Sequence, residues 1–576
     1  MKNKMAKERA SNRCQWILIG VLLVAAGLRF YGFWWGYPYS FHGDENFVFT
    51  MTLRLDRHFR ETGSWNPQVS TYGSLPFYVL WLTWRGANAL LHLLNHPLGI
   101  DTVPIMLVGR LISATLGTLT VWALYLLGSR LWSQRVGVLA AAFLAVAVSP
   151  VRESHFYAVD TMMVFWAVLA MVFAAGVLLE GRPRDYLLTG TLSGLSLSTK
   201  AAGLPLLVPL VTSHLLRVDA FTLHPLRVRL RRALDRRLAL MLGTALGLFL
   251  MINPWPIVDA RNYWAHNANY ALATQFDVVR GAYRPFYTMH FEHTLPYIYH
   301  LTNPLLWGLG PILELAALVG LGYSLWQAWK GNKRDLLVLA WVIPYGLIVG
   351  SWYAKFVRYV LPLLPFFSLL AARWLVPWAE HPISWKRWSA RTLIVLTLFT
   401  TTFYALAYMN IYRQPDTRLQ ALRWIKENIP PGSTILVERD STLKFNQLNT
   451  RYKLTQYHIK VLDHYGQVEQ TDPQFFNPTP PDPEEVRKEL YESLEGVDYI
   501  ILSDTWMGRY LALPDLFPVE YEFYSRLRNG ELGFRLIKTF KVYPEFLGIR
   551  IVDDNAELTF RLFDHPWIYV FKREKP

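Results

Sequence analysis

A pair of neighbouring acids follows the first apolar run of the chain. Asp44 and Glu45 come soon after that run ends near Trp35. A carboxylate at this place can act as a general base and accept the proton of an attacking hydroxyl, a role worth about 10²- to 10⁴-fold in rate. The alternative is a solvated loop acid, or a helix cap for the residues from Asn46 onward. The two residues alone do not decide between these roles.

A second set of ionisable side chains stands where one apolar run ends and the next begins. It comprises Arg152, His155 and Asp160. Asp160 can pair with Arg152 or orient a bound hydroxyl group, and His155 can form a hydrogen bond with a ligand hydroxyl. Ionisable groups at a membrane face are costly unless they are solvated or paired, so this set is a functional hypothesis. The alternative is helix capping with a local ion pair.

Three cations form the third set, namely Lys200, Lys355 and Arg358. A phosphate that departs as a leaving group needs positive charge where its own charge grows, and an arginine can bind it through two parallel hydrogen bonds. The alternative is that a long basic side chain anchors the end of a membrane span among lipid headgroups. That alternative suits Lys355 well. It explains Lys200 less readily, because Lys200 stands at a break in the helical pattern that contains Gly and Pro.

Composition determines the kind of element that must position these groups. The chain has 576 residues, of which 52% are hydrophobic and 18% are charged, so it is more apolar than an average soluble domain. The formal net charge is +15, but Lys and Arg collect in short loops between apolar runs. This pattern is typical of cytoplasmic membrane-protein loops and argues against nucleic-acid binding. Cys14 is the only cysteine, which excludes an intrachain disulfide and a cysteine-based metal cluster.

Apolar runs long enough to cross a bilayer, about 20 residues as helix, recur up to about Tyr408. The basic residues before Trp16 place the N-terminus in the cytoplasm. If the run from Pro76 to Leu94 crossed, every later basic loop would fall on the wrong side, so we assign it as an interfacial or re-entrant helix. The remaining runs give about eleven spans: Trp16–Trp35, Val103–Leu127, Val136–Ser149, Tyr157–Leu179, Leu187–Thr199, Leu204–Leu216, Leu238–Trp255, Leu301–Trp329, Leu336–Trp352, Val357–Pro377 and Thr392–Tyr408.

With this topology the three sets of ionisable groups all fall on the outer face of the cell membrane. Residues 1–410 are expected to form a transmembrane catalytic domain, and residues 411–576 a soluble, extracytoplasmic α/β domain. The pattern in the second part predicts helices and strands, with no phosphate-cradling glycine loop. The helices are Arg418–Asn428 and Pro483–Leu494; the strands are Thr434–Val437, Val497–Leu502, Thr559–Phe563 and Trp567–Phe571.

The order of these motifs resembles the GT-C membrane glycosyltransferases. An Asp-Glu pair follows the first span, and a Ser-Pro pair precedes His155 and Asp160. A Thr-Lys-x-x-Gly break holds Lys200, and a Lys-x-x-Arg-Tyr-x-x-Pro segment holds Arg358. The chain looks most like the protein O-mannosyltransferases that use dolichyl-phosphate mannose and like the lipid A aminoarabinose transferases, over roughly residues 16–412. The resemblance implies an α-helical polytopic membrane protein of GT-C type with a C-terminal α/β domain.

The resemblance also implies roles for individual residues. It makes Asp44 the catalytic base, with Glu45 as its neighbour, and it adds Asp160 as the aspartate of the second outer loop. The cations implied to bind the donor phosphate are Lys200, Arg358 and Lys355.

One segment departs from the family pattern. The aminoarabinose transferases carry Glu-Lys-Pro where this chain has Tyr72 to Pro76, which puts a lipid-phosphate or metal ligand from that segment in doubt. Tyr72 therefore joins Arg152 and His155 as a candidate for substrate binding.

The implied activity is an inverting transfer of a hexosyl or pentosyl group from a polyprenyl-phosphate donor, dolichyl or undecaprenyl, to an acceptor hydroxyl. The acceptor is a protein, a lipid or a glycan, and membrane lipid surrounds the enzyme. No cofactor and no metal site are expected, although metal-dependent members of the wider fold class keep a divalent metal open. The aromatic loop Tyr263–Tyr299 can cover the site or simply anchor the protein at the membrane interface. The alternative function is a transporter or a flippase for lipid-linked sugars.

Overall fold

The computed structural model describes residues 2–94, 102–219, 231–266, 270–438, 455–462 and 482–574. The described residues up to residue 410 are helical wherever they form regular structure. Their longer helices, with α6 included because it carries Arg152, are α1 Lys2–Phe30, α2 Gly43–Thr62, α3 Leu75–Leu93, α4 Ile105–Leu131, α5 Gln134–Val146, α6 Val148–Arg152, α7 Val159–Leu179, α8 Pro183–Thr199, α9 Leu207–Arg217, α10 Arg236–Ile252, α11 Leu272–Arg280, α12 Pro311–Trp329, α13 Lys333–Gly350, α14 Leu364–Ala379 and α15 Ser384–Met409.

Several of these helices can cross a membrane, so the chain is a multi-pass membrane protein. Five helical segments among the described residues are long and apolar enough: Asn12–Phe30, Ile105–Leu131, Val159–Leu179, Val357–Ala379 and Ser384–Asn428. A sixth span results if Ile298–Leu309 and Pro311–Trp329, which meet at a bend of 119°, count as one. Other apolar helices are short, such as α5 with 13 residues. The count of about eleven spans therefore stays a prediction.

Local sequence signals explain where these helices begin. The side chains of Ser133, Asp235 and Asn332 each accept a hydrogen bond from a backbone amide in the first turn of the helix that follows, which satisfies donors that have no partner within the helix. Pro183 and Pro311 stand at the first helical turn, where a missing amide costs nothing.

The helices pack closely through small residues, as membrane helices do when lipid is as apolar as their own side chains. A Cβ added to Gly128 would lie 2.8 Å from the Cα of Gly137, and one added to Gly320 would lie 2.2 Å from the carbonyl oxygen of Leu370. These contacts bring α4 against α5 and α12 against α14. The segment Val357–Ala379 lies in the middle of the bundle, with 94% of its most apolar stretch buried.

The C-terminal part is an α/β domain built on a five-stranded sheet. Its helices are α16 Thr417–Asn428, α17 Pro483–Ser493, α18 Asp504–Ala512, α19 Pro518–Arg528 and α20 Leu558–Leu562. Its strands are β1 Thr434–Glu438, β2 His458–Leu462, β3 Tyr499–Ser503, β4 Phe534–Phe540, β5 Glu545–Phe546, β6 Ile549–Arg550 and β7 Ile568–Arg573.

The order in the main sheet is β2-β1-β3-β7-β4, and β5 pairs with β6 in a separate ribbon. Strands β2, β1 and β3 run parallel, whereas β7 is antiparallel to both β3 and β4. Every residue of β3 is buried, which matches the apolar run that predicted it.

One predicted strand, Thr559–Phe563, is wrong, because the segment forms the helix Leu558–Leu562. The Glu557 side chain caps this helix by accepting a hydrogen bond from the amide of Thr559 at 3.1 Å. Phe560 then packs against Trp307 and Tyr408 of the helical bundle. A run of five residues is too short for its apolar period to distinguish a strand from a helix.

The domain is joined to the helical bundle by buried polar contacts around Asp564. Arg152 of α6 forms an ion pair with Asp564 at 3.2 Å, and the Tyr408 hydroxyl donates a hydrogen bond to the same carboxylate at 2.8 Å. His565 lies between Asp564 and Asp553, with its ring nitrogens 2.6 and 2.8 Å from the two carboxylates. Burial alone would lower the pKa of His565, but the two carboxylates outweigh it and raise that pKa to about 9.

Candidate active site

Asp44 lies in the first turn of α2. The helix begins after His42, whose Nδ1 accepts a hydrogen bond from the amide of Glu45 at 3.4 Å. The partial positive charge of the helix N-terminus favours a carboxylate here. The Asp44 Oδ2 lies 3.2 Å from the Nε of Arg358, and the two side chains are 22% and 16% exposed. Both side chains are thus partly exposed, although the Asp44 Oδ2 itself is buried.

Arg358 is held by the 3₁₀ segment Val357–Leu363, which precedes α14. Its guanidinium lies 4.5 Å from the ring centre of Phe356 and 5.4 Å from that of Tyr359. Contacts of this kind orient a planar cation without using its hydrogen-bond donors. Most of the Arg358 donors therefore remain for Asp44 or for an incoming anion.

Lys200 and Asp160 form the second ion pair of the site. The Lys200 Nζ donates to the Asp160 Oδ1 at 2.7 Å. Lys200 has extended backbone directly after α8, and Asp160 lies in the first turn of α7. The Lys200 ammonium also lies 5.4 Å from the ring centre of Tyr359 and 5.8 Å from that of Tyr72. Tyr359 therefore contacts the cations of both ion pairs.

The loop that carries Tyr72 is fixed directly against the end of α8. The Gly73 amide donates to the carbonyl of Thr199 at 3.1 Å, and a Cβ on Gly73 would lie 1.9 Å from the carbonyl oxygen of Ser198. Only glycine permits this approach. Burial raises the pKa of Tyr72 well above its usual value, and the nearby Asp44 carboxylate adds to this shift.

The fold thus brings together side chains that are far apart in the sequence. We call them the ion-pair cluster, which comprises Asp44, Tyr72, Asp160, Lys200, Arg358 and Tyr359. Five of these residues are candidates from the sequence. Tyr359 belongs to a motif that the sequence singled out but received no role there.

Glu45 lies beside the cluster, fully buried in a network of its own. Arg110 donates to both of its carboxylate oxygens at 2.8 Å, and the amide of Tyr157 donates to Oε1 at 3.0 Å. Ser40 donates to Oε2 at 3.0 Å. With its acceptors used in this way, Glu45 fixes the start of α2 against α4 and thereby positions Asp44.

Three other candidates lie outside the cluster. Both ring nitrogens of His155 lie 2.9 Å from backbone carbonyl oxygens, and its ring stacks on Tyr412 with centres 4.1 Å apart. Arg152 faces Asp564, as described above. The Lys355 Nζ donates to the carbonyl of Tyr353 at 2.8 Å. The geometry does not support a direct contact between these three side chains and a ligand at the cluster.

The sequence did not single out Glu153 as a site residue. One of its oxygens pairs with Arg152, whereas Oε2 is buried without a hydrogen-bond partner among the described residues. Burial raises the pKa of Glu153, the neighbouring Arg152 opposes this shift, and Asp160 adds to it. The position of Glu153 beside Arg152 was the only sequence signal for a role in the site. The sequence alone does not reveal on which side of the loop an acid lies.

The described part of the chain has no group of three His, Cys, Asp or Glu side chains that converge as metal ligands. Each acid of the cluster has a cation as its neighbour. Such a set of charges suits a ligand that brings its own negative charge, because the donors of the two cations can bind it.

Comparison with known proteins identifies the fold of the chain. The family model for dolichyl-phosphate-mannose-protein mannosyltransferases matches residues 105–257, which include Asp160 and Lys200. The crystal structure of the apo oligosaccharyltransferase from Archaeoglobus fulgidus matches with a TM-score of 0.52 and 13% identity, over 97% of this chain and 88% of that one. The chain has the GT-C fold.

A second structure supports the same GT-C assignment. The oligosaccharyltransferase AglB from Archaeoglobus fulgidus, in complex with an inhibitory peptide and a dolichol-phosphate, matches with a TM-score of 0.51 and 13% identity, over 95% of this chain and 75% of that one. Apo ArnT from Cupriavidus metallidurans has a TM-score of 0.44 at 15% identity, over 88% of this chain and 95% of that one, and adds nothing to the assignment. A search of curated protein sequences finds no match.

The GT-C architecture predicted from the order of the motifs is confirmed. At 13% identity the likeness shows the fold alone, so the roles of residues in this chain rest on their own geometry.

Proposed function

We propose that this protein is a glycosyltransferase that moves a sugar from a polyprenyl-phosphate donor to an acceptor hydroxyl with inversion at C1. The observation that carries the proposal is the convergence of two ion pairs, Asp44–Arg358 and Asp160–Lys200, in one cluster. Two cations beside two acids match a reaction in which a phosphate departs while a hydroxyl loses its proton.

Donor binding releases the base. Arg358 pairs with Asp44, and a donor phosphate competes for the same guanidinium. Arg358 and Lys200 then bind the phosphate, whereas Asp44 becomes free to accept a hydrogen bond from the acceptor hydroxyl. Asp160 positions the Lys200 ammonium, and Tyr359 supports both cations.

The transfer step is a single displacement. The acceptor oxygen attacks C1 of the sugar, the bond between C1 and the phosphate oxygen breaks, and the hydroxyl proton moves to Asp44. The polyprenyl phosphate leaves with one more negative charge, next to Arg358 and Lys200. The A. fulgidus relative with a bound dolichol-phosphate is a fold-level analogy for such a carrier.

The proposal includes the membrane arrangement. The N-terminus lies in the cytoplasm, residues 1–410 contain the catalytic site, and residues 411–576 lie on the outer side of the cell membrane with the acceptor. The basic loops between spans support this orientation. The transferred group is a hexosyl or pentosyl unit, and the acceptor is a protein, lipid or glycan.

The test is transfer by the purified chain in lipid nanodiscs, from a panel of polyprenyl-phosphate sugars to a mixed acceptor pool, with products identified by mass spectrometry. We expect Asp44→Asn to lower turnover by about 10²- to 10⁴-fold. The control is Glu61→Gln, which changes an exposed acid at the other end of the same helix and should leave turnover unchanged.

Two other outcomes have distinct meanings. Full turnover in Asp44→Asn would retain the enzyme class and exclude Asp44 as the base. Donor binding without turnover, accompanied by movement of the lipid-linked sugar across the bilayer, would favour a flippase.

A further inference from the structure

The C-terminal domain has a cleft of about 1040 Å³ that the proposed reaction does not use. It lies between α18, α20 and the strands β4 and β7. Ligand pockets commonly have about 300–1,000 Å³, so this cleft has room for a ligand much larger than a single phosphate ion.

The wall of the cleft is rich in cations. Its charged residues, apart from a histidine at the inner end, are Arg509, Arg528, Lys541, Arg561, Asp504 and Asp554. Four cations against two acids leave the wall positive. A concave, positive surface concentrates anions from solution.

The ring of Trp567 contacts two of these cations. The Lys541 ammonium lies 3.5 Å from the centre of its ring, and the Arg561 guanidinium lies 4.1 Å from it. The indole Nε1 of Trp567 has no hydrogen-bond partner among the described residues. The ring therefore holds both cations in place.

Arg561 has a donor without an acceptor although it is only 6% exposed. Its Nη1 lies 3.0 Å from the Asp504 carboxylate, but neither Nη1 nor Nε has a hydrogen-bond partner in the part of the chain that the structure describes. A buried donor without a partner is costly, and more so when it belongs to a charged group. A ligand oxygen in the cleft would supply the missing acceptor.

We propose that this cleft binds an anionic saccharide. Its phosphate or carboxylate group contacts Arg561, Arg528 and Lys541, and its hydroxyl groups meet the neutral polar side chains of Thr539 and Asn555, which also line the cleft. The size of the cleft and the mixture of cations with neutral hydrogen-bonding groups favour a sugar over a bare anion.

The inner end of the cleft approaches the ion-pair cluster. His290 lines the cleft, its Nε2 lies 2.9 Å from Glu557, and its ring is 6.1 Å from that of Phe356. Phe356 is the ring on which Arg358 stacks. Use of the bound saccharide as a glycosyl acceptor would rest on the function proposed above, but its binding does not.

Calorimetric titration of the full chain, in nanodiscs of zwitterionic lipid, tests the binding. The probes are tetragalacturonate, neutral maltotetraose, glucose 6-phosphate and inorganic phosphate. We expect the two anionic saccharides to bind and maltotetraose not to bind. The variant Arg528→Gln/Lys541→Gln changes two exposed side chains and should weaken binding by about 10-fold or more. The matched control is Lys538→Gln, an exposed lysine of β4, three positions before Lys541 and outside the cleft.

Several results would overturn the proposal. They are equal binding of maltotetraose and tetragalacturonate, equal binding of inorganic phosphate and glucose 6-phosphate, or unchanged affinity in the double variant. Loss of saccharide binding in nanodiscs that contain phosphatidylglycerol would assign the cations to lipid headgroups instead. None of these results depends on transfer activity, so a failure here is distinguishable from a failure of the proposed reaction.

Discussion

In the proposed mechanism Arg358 exchanges its partner, from the Asp44 carboxylate to the donor phosphate. Substitution to Gln removes the charge that faces the departing phosphate, and we expect kcat to fall by about 10²- to 10³-fold. Arg358→Lys should recover only part of this loss, because an ammonium lacks the planar fork that stacks on Phe356 and binds two oxygens. Steady-state kinetics with a polyprenyl-phosphate sugar would measure both variants.

The control for this series is Arg391→Gln, which changes an exposed arginine of α15 and should leave kcat unchanged. An unaltered kcat in Arg358→Gln would remove Arg358 from the mechanism.

The Glu45–Arg110 pair predicts a stability effect that depends on which partner is removed. Arg110→Met leaves a fully buried carboxylate without its cation, which costs about 3–5 kcal/mol, so the midpoint of thermal unfolding in detergent should fall strongly. The double variant Glu45→Gln/Arg110→Met should be less destabilised than Arg110→Met, since no unpaired charge remains. Equal destabilisation of the single and double variants would contradict this account.

The sequence predicted the charged residues of the cluster but not the partner of the neighbouring Glu45. Asp44, Asp160, Lys200 and Arg358 could be found because ionisable groups are rare at the ends of apolar runs. The partner of Glu45 could not be found, because Arg110 lies 65 positions away in an apolar helix. Only tertiary packing brings these two residues together.

Among the elements, the contact between the Tyr72 loop and α8 is the most sensitive to a single methyl group. In Gly73→Ala the new Cβ would collide with the backbone of Ser198, so the loop must move away from Lys200. We expect transfer activity to fall by at least about 10-fold, because displaced positioning groups cost rate steeply. The matched control is Gly86→Ala in α3, where a Cβ meets nothing within 4 Å. Equal activity of the two variants would show that the loop does not position the site.

The sequence predicted most helices of the bundle correctly, but it missed one bend and assigned one helix as a strand. Long apolar runs form helices as predicted. The reason is that the backbone N–H and C=O groups of such a run have no water to bind in lipid and must form hydrogen bonds with each other. The bend of 119° before Pro311 was not predicted, and the expected single span Leu301–Trp329 passes over it. Helix α20 was assigned as a strand, since its conformation depends on the Glu557 cap and on packing against Tyr408.

For the whole molecule, the buried contact around Asp564 and His565 predicts a pH dependence of stability. The folded pKa of His565 is raised to about 9, so its contribution is fully present below its unfolded pKa of about 6.5 and is lost as the pH rises through about 9. Thermal unfolding monitored between pH 6.5 and 9 should show a falling midpoint. His565→Gln should remove this slope, whereas His458→Gln, at an exposed position of β2, should preserve it. A flat profile for the unmodified protein would contradict the prediction.

Asp564 gives the stability the opposite dependence on pH. Burial alone would raise its pKa, but Arg152 and His565 outweigh burial and lower the pKa to about 2. Its contribution is therefore present above about pH 3.9, the usual unfolded value, and is lost as the pH falls towards 2. The docked arrangement of the domain and the bundle is thus most stable in mildly acidic solution, between these two limits.

In the proposed reaction Arg358 adjoins both groups whose charge changes, the Asp44 carboxylate and the departing phosphate. During transfer the total charge of the site does not change, and one negative charge is relocated from Asp44 to the departing phosphate. Both locations adjoin the same guanidinium, whose plane Phe356 and Tyr359 hold in place. The surrounding dipoles therefore have little reorientation to perform as the reaction proceeds, and a low reorganisation energy of this kind lowers an activation barrier.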